Sequence, residues 1–404
     1  MKSLNGIKKM QGWKGLCIPI AILLVISCKP GSQSGSDGGK AEWRKTILPE
    51  TGREVWQITT DSAGSVACYF ERQAFTSDDE YLVFSSPREG DWRLYRADLS
   101  TGAISPLSPE GRNINEDDYT LHPDGKRACY LDGSVLYGID VNTRDERILF
   151  DFTGKLTGRL SFSGSFTADG NYTLMRVSKD KLKQIHRINL KSGEILLVHE
   201  QDTGTFSHAL INPADPDIIS YVPGPDTQND MSLPMEKRAR TWKINLKDST
   251  NGPYLTCPYG FRATHESWSF DGDRFFFFRK SVPGWKPVTI CSIDREGGDL
   301  HEYLTSDTIR LGHGISSRDG KWFVSDSQDP GRNPLYLLNL ESGEHTLIAW
   351  PDASIEDGHS KFTHVHPFFS PTGRYVCYTS DFGGTPQVYV VPVGDLTDPD
   401  GKGL

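Results

Sequence analysis

Histidine recurs at one position of a repeat in this 404-residue chain: His208, His265, His313 and His366 each stand three residues before a short turn that leads into an apolar strand. His364 lies two residues before His366, so in an extended strand both side chains point to one side. Imidazoles converging from neighbouring strands suit a divalent transition metal, and a nitrogen-rich ligand set with open positions leaves room for substrate. A histidine outside such a set titrates near neutrality and can accept a proton at physiological pH. The alternative chemistry is a polar, water-filled channel lined with hydrogen-bonding histidines. In the remaining repeats the same register holds Arg72, Asp118 and Ser163. Arg72 is expected at an anionic substrate, with pairing to Glu116 or Asp118 as the alternative.

The elements that must position these residues are read from the turns. Turns of the Phe-Thr-Ala-Asp-Gly type begin at Phe75, Leu121, Phe166, Ile211, Trp268, Ser316 and Phe369, at spacings of 46, 45, 45, 57, 48 and 53 residues. That period fits four-stranded propeller blades and not helical solenoids. Seven copies predict an all-β, seven-bladed β-propeller, with the register residues on the innermost strands at one level of the axis. Segments such as Tyr81–Phe84, Tyr172–Met175, Arg274–Phe277 and Tyr375–Tyr378 are rich in aromatic and β-branched residues and are bounded by Gly, Asp, Asn and Pro, as strands and hairpins require. Asp98–Gly102, Asn189–Gly193 and Asn339–Gly343 supply Asx turns followed by a glycine tolerant of positive φ. The widest interval holds a polar loop, 223–240, long enough to line a channel mouth. His122 occupies a turn position that wants a local hydrogen bond, and His186, His199, His301 and His345 fall in outer strands without register partners; none is expected to act chemically.

Lys8, Lys9 and Lys14 precede an apolar run, Leu16–Ile26, and then Val25-Ile26-Ser27-Cys28. This is the pattern of a lipoprotein signal over residues 1–27, too short for a comfortable membrane span, with lipid on Cys28. Residues 28–40 then read as a flexible tether and 41–404 as the propeller, placing the protein in the bacterial cell envelope with membrane contact only through its anchor. Beyond the signal, Cys68, Cys129, Cys257, Cys291 and Cys377 form no CxxC pair, which argues against disulfides or a zinc–thiolate site and for packed strand residues. A net charge of −9 disfavours nucleic acid as a partner, while a local cluster of Arg, Lys and His still admits an anionic substrate.

Thr264-His-Glu-Ser-Trp-Ser-Phe-Asp-Gly272 and Thr363-His-Val-His-Pro-Phe-Phe-Ser-Pro-Thr-Gly373 resemble the two metal-binding signatures of oligogalacturonate lyases, polysaccharide lyase family 22. Tyr69-Phe70, His208 before Ile211-Asn-Pro213, Gly224-Pro225 and Arg240-Thr-Trp242 extend the resemblance from the first blade to the last. The resemblance implies a seven-bladed propeller that cleaves short galacturonate oligomers, pectin fragments, by β-elimination with Mn2+. It places the histidine ligands on His265, His364 and His366, with His313 or water completing the shell, and the catalytic base on His208. The family's glutamine ligand is replaced by Lys361, which when protonated cannot coordinate a cation and is expected at the substrate instead. The family's catalytic arginine has no counterpart near Lys183, so Arg240 or Lys183 is expected to supply the catalytic cation and Arg187 to contact substrate. The alternatives are a lyase or hydrolase for another uronate-containing glycan, or a noncatalytic binding propeller.

Overall fold

The computed structural model describes residues 39–398 apart from 203, 205, 225–226, 229, 231, 235–236, 330–332 and 356–363. The signal, Cys28, most of the tether and Lys361 lie outside the described residues. The described residues build seven antiparallel sheets, one for each turn repeat, arranged in a ring as a seven-bladed β-propeller. Blade 3 has the regular pattern, with strands Arg159–Phe166, Tyr172–Lys179, Leu182–Asn189 and Ile195–Gln201 pairing in sequence order from the axis outward. No helix among the described residues is long and apolar enough to cross a membrane.

The turn chemistry is the same from blade to blade. The hydroxyls of Thr76, Thr167, Ser269 and Ser317 donate to the Asp two residues on at 2.5–2.6 Å, and each accepts the backbone N–H five residues on at 2.9–3.1 Å. In blade 2 His122 takes this place, accepting the Asp124 N–H at 3.2 Å. In blade 4 it is Asn212, which also donates to the Gly272 carbonyl of blade 5 at 2.7 Å.

Each blade is apolar on both faces because it packs between two others. Blade 5 shows this in four consecutive buried phenylalanines on Arg274–Ser281. Phe275 and Phe277 pack with Tyr254 and Trp268, while Phe276 and Phe278 face the opposite way, onto Phe323 of blade 6. Burying each ring is worth about 1.5–3 kcal/mol. The five cysteines are buried in these seams as thiols and form no disulfide with one another.

The N-terminal segment closes the ring. Glu54–Gln57 pairs with Gln387–Pro392, Arg44–Ile47 adds outside it, and blade 7 thereby gains its outer strands. Lys40–Ala41 pairs with Ala103–Pro106 as the outermost strand of blade 1, so the expected tether boundary at residue 40 falls inside a strand. Blade 1 is irregular at its inner edge. Only the isolated bridges Val66↔Ser85 and Phe75↔Leu82 flank its inner pairing, and the chain between them turns away from strand geometry.

Trp56 joins the closing strand to the core, with ring centroids 5.3 Å from Trp43 and 5.4 Å from Tyr375. Trp56→Ala is expected to lower the unfolding free energy by about 3 kcal/mol in urea titration. A loss under about 1 kcal/mol would mean that closure does not depend on this contact.

Candidate functional site

The inner strands share one irregularity. Pairing with the second strand slips between Phe162 and Phe166, Ser207 and Leu210, Thr264 and Ser267, and Leu311 and Gly314. Ser163, His208, His265 and His313 sit in these bulges, which in blades 4 to 6 turn a histidine that would enter a blade seam toward the axis. His208, His265 and His366 adopt φ of 47°, 55° and 47°, and Gly164 takes the left-handed conformation in blade 3. Such a backbone costs a non-glycine residue about 1–2 kcal/mol and persists where surrounding contacts hold it.

His313, His364 and His366 bring one nitrogen each to within 4.8 Å of one another. His313 is buried; its ring Nδ1 lies 3.0 Å from Asp326 Oδ2, and its backbone N–H donates to Asp326 Oδ1 at 2.6 Å. The carboxylate fixes the proton on Nδ1 and leaves the Nε2 lone pair, the arrangement that orients metal-binding histidines. Gly312 permits this approach, since a Cβ there would meet Asp326 Oδ1 at 2.5 Å and Gln328 Cγ at 2.3 Å. Burial raises the Asp326 carboxyl to about 6, and His366, the His313 N–H, His364 and Lys280 offset only part of that rise. Three imidazole nitrogens beside such a carboxylate fit a divalent ion.

His265 lies outside that trio, its ring centroid 4.1 Å from that of His313. Its Nδ1 is 3.2 Å from the Gly312 carbonyl. A carbonyl only accepts, so Nδ1 carries the proton and Nε2 the lone pair. Burial first, then His313, Lys280, His208 and Arg240, hold its pKa well below the ordinary imidazole value, and the ring is neutral. This changes the expected ligand set: His313 stands with His364 and His366 in the place the resemblance gave to His265.

The irregular segment of blade 1 supplies groups that the register did not reveal. Phe70 is fully buried, with its ring centroid 5.5 Å from His313, 6.3 Å from His366 and 6.4 Å from His265. Tyr69 packs 4.5 Å from His366 and 5.9 Å from His208. Glu71 binds Nδ1 of His208. Burial lowers the His208 pKa, but the Glu71 charge and hydrogen bond outweigh it, and the net shift is upward.

The expected cations separate. Arg240 Nε donates to buried Glu266 at 2.8 Å, and the Thr241 hydroxyl donates to the same oxygen at 3.0 Å. Burial would raise the Glu266 carboxyl, yet Arg240 and then His208 hold it below its ordinary value, placing Arg240 in the electrostatic reach of His208 and His265. Arg72, expected at substrate, instead donates to Asp118 at 3.0 Å and to the Asp117 carbonyl, because the turn of blade 1 carries it onto blade 2. Arg187 pairs with Asp217 and donates to the Pro216 carbonyl at 3.2 Å, binding blade 3 to the turn of blade 4 and not a substrate. Lys183 stands on the third strand, paired with Ser178, and its Nζ donates to the Asp180 carbonyl of its own hairpin at 3.3 Å, away from the inner strand that carries the register. Ser163 turns into its own blade and donates to the Leu174 carbonyl at 3.1 Å.

A cavity of about 170 Å³ lies at the turn ends of the inner strands, lined in part by Phe75, Phe166, Trp268, Phe369 and Glu71. Arg72, His122 and Arg318 also line it, but the metal-binding trio does not. Glu71, Glu266 and Asp326 are the site residues that sequence reasoning missed. Glu266 follows His265 directly and was within reach of inspection, whereas Asp326 and Glu71 meet their histidines only through the fold.

A family model described as oligogalacturonate lyase matches residues 176–397. The oligogalacturonate lyase of Dickeya dadantii (strain 3937) is 26% identical over 383 residues, covering 85% of this chain and 94% of that protein. The oligogalacturonide lyase of Pectobacterium atrosepticum is 25% identical over 390 residues, with the same coverage of 85% and 94%. Among solved structures, an oligogalacturonate lyase in complex with manganese superposes with a TM-score of 0.74 at 24% identity, covering 88% of this chain and 98% of that one. An oligogalacturonate lyase from Vibrio parahaemolyticus does so at 0.73 and 20%, with coverage of 88% and 98%.

The Glu71–His208 pair makes a pH-dependent contribution whose sign is fixed. A histidine pKa raised on folding stabilises fully below its unfolded value of 6.5, and the contribution is lost as pH rises through the folded pKa. Glu71→Gln is expected to shift the NMR titration of His208 downward, and the stability difference from the unmodified protein should shrink above pH 6.5. A pH-independent difference would exclude the pairing.

Proposed function

The chain belongs to the oligogalacturonate lyase family, and from that premise we propose that it cleaves short galacturonate oligomers by β-elimination at the histidine-lined end of its propeller axis. The observation that carries the reading is the convergence of His313, His364 and His366 beside a neutral His265 and the Arg240–Glu266 pair. His313, His364 and His366 would hold Mn2+, which when bound supplies Lewis acidity that stabilises charge developing on a uronate carboxylate.

Removal of the C5 proton is difficult because it is poorly acidic, and a cation on the adjoining C6 carboxylate lowers the barrier. Arg240 supplies that cation. His265 is the proton acceptor in this reading, because Nδ1–H is held by the Gly312 carbonyl and the Nε2 lone pair is free of a proton. The C5–H electron pair forms the C4–C5 double bond, the C4–O bond breaks, and the departing oxygen takes a proton from solvent. The rings of Phe70 and His313 flank the acceptor.

His208, the base implied by resemblance, is favoured as imidazolium by Glu71, and an imidazolium has no lone pair to accept a proton. A second reading keeps it as the base, since Glu71 would fix the same Nδ1–H tautomer in its neutral form. The two separate in the pH profile. With His208 as base, kcat/KM climbs above pH 6.5; with His265, that limb is absent.

Sequence alone supports the rest: an export signal over residues 1–27, a lipid on Cys28, and residence in the cell envelope with anionic oligosaccharides and not nucleic acid as partners.

Absorbance of the unsaturated uronate product tests the chemistry. His265→Ala is expected to lose roughly 10² to 10⁴ in turnover while retaining metal, and His313→Ala to lose both metal, by elemental analysis, and activity. Full turnover in chelator-treated protein, or saturated products, would sink the reading.

Cys28→Ala should move the protein from the membrane fraction to the soluble one and abolish labelling by a fatty-acid probe. Unchanged fractionation would exclude the anchor.

A further inference from the structure

Three cations meet on one indole at the seam between blades 5 and 6. The Cζ atoms of Arg262 and Arg310 lie 5.0 and 4.6 Å from the centroid of Trp285, and the Lys280 ammonium lies 5.4 Å from it. Arg262 and Lys280 are cross-strand partners in blade 5. Lys280 Nζ donates to Gln328 Oε1 of blade 6 at 2.9 Å, and the Gln328 backbone N–H donates to the Arg310 carbonyl at 2.7 Å. Arg262 stands three residues before His265 and Arg310 three before His313. The cluster is therefore displaced from the histidines by roughly 10 Å along the strands, toward the hairpin that carries Trp285.

In a chain of net charge −9 this concentration of positive charge requires an account. Two carboxylates beside the Arg310 strand are engaged with other groups. Asp326 holds His313, while Asp329 accepts the Arg310 backbone N–H at 2.7 Å and the Ser327 hydroxyl at 3.2 Å and pairs with Lys286 at 3.0 Å. Among the described residues the Arg310 guanidinium has no carboxylate partner, and its Nε is buried without a hydrogen bond. Burial pushes the Lys280 ammonium down to about 7; Arg310 adds to this, Asp326 opposes it, and Arg262 and Arg240 lower it further. Cation–π attraction to Trp285 offsets part of that repulsion, about 0.5–2 kcal/mol for each contact. Trp285 itself is held at φ +65°, a conformation that a bulky residue keeps only under constraint. Arg262, Trp285 and Arg310 are all half-buried, so a solute can reach them.

We infer that Arg262, Lys280 and Arg310, arrayed on Trp285, form a second carboxylate subsite that binds the uronate unit next to the one held at the histidines. The inference rests on the proposed uronate substrate and extends it from one sugar to its neighbour. Guanidinium forks match a carboxylate bidentately, and a bound anion would offset the mutual repulsion of the three cations. The subsite would make affinity depend on a second carboxylate and favour oligomers over monomers.

Calorimetry in a His265→Ala background, where turnover is blocked, compares trigalacturonate with monomeric galacturonate. Arg262→Gln with Arg310→Gln is expected to weaken trigalacturonate about 100-fold, tenfold for each guanidinium, and to leave the monomer within about twofold. Arg310→Lys, which keeps the charge and loses the fork, should cost about tenfold and serves if the double variant does not fold. Unchanged trimer affinity, or equal loss for monomer and trimer, overturns the subsite. If the arginine-dependent binding is found while the unmodified protein turns over no galacturonate oligomer, the subsite stands and the lyase reading falls. Absence of binding to either protein overturns both.

Discussion

Taking basic groups out of water around one axis is the constraint on which the rest of this site depends. A charge buried without a partner costs several kcal/mol, so each group must be neutral or matched. The molecule uses both solutions side by side. His265 and His313 are neutral, their tautomers set by a carbonyl and a carboxylate. His208 and Arg240 are matched by Glu71 and Glu266. The division assigns chemistry: neutral rings offer lone pairs to an ion or a proton, while matched cations offer positive charge to an anion.

The scaffold that permits this is a repeated local defect. A regular inner strand would alternate its side chains between two apolar seams and leave the axis to backbone. The bulge re-aims one histidine in each of blades 4 to 6, and this shared slip is why residues distant in sequence come together. Seams such as the one around Phe275–Phe278 supply the rigidity that holds three histidines in left-handed backbone. Apolar packing at the blade faces thus bears the strain stored at the centre.

The blade count and the ring were legible because both follow from local chemistry. The hydroxyl–Asp–Gly turn is written in five residues, and a residue three before it has an equivalent in every blade. What the repeat could not give was exchange between equivalents. His265 and His313 occupy identical register positions, and only the partner of each Nδ1 distinguishes the neutral acceptor from the member of the trio. Arg72 was misplaced because blade 1 abandons strand geometry at its inner edge, which delivers Glu71 to His208 and Arg72 to Asp118. Arg187 was misplaced because its partner, Asp217, comes from the next blade, and a strand pattern carries no information about what a neighbour presents.

Phe70 has a steric consequence. Its buried ring packs against His313, His366 and His265 and fills the space beside them. Whatever binds the imidazoles must therefore approach them from the directions that the ring leaves free.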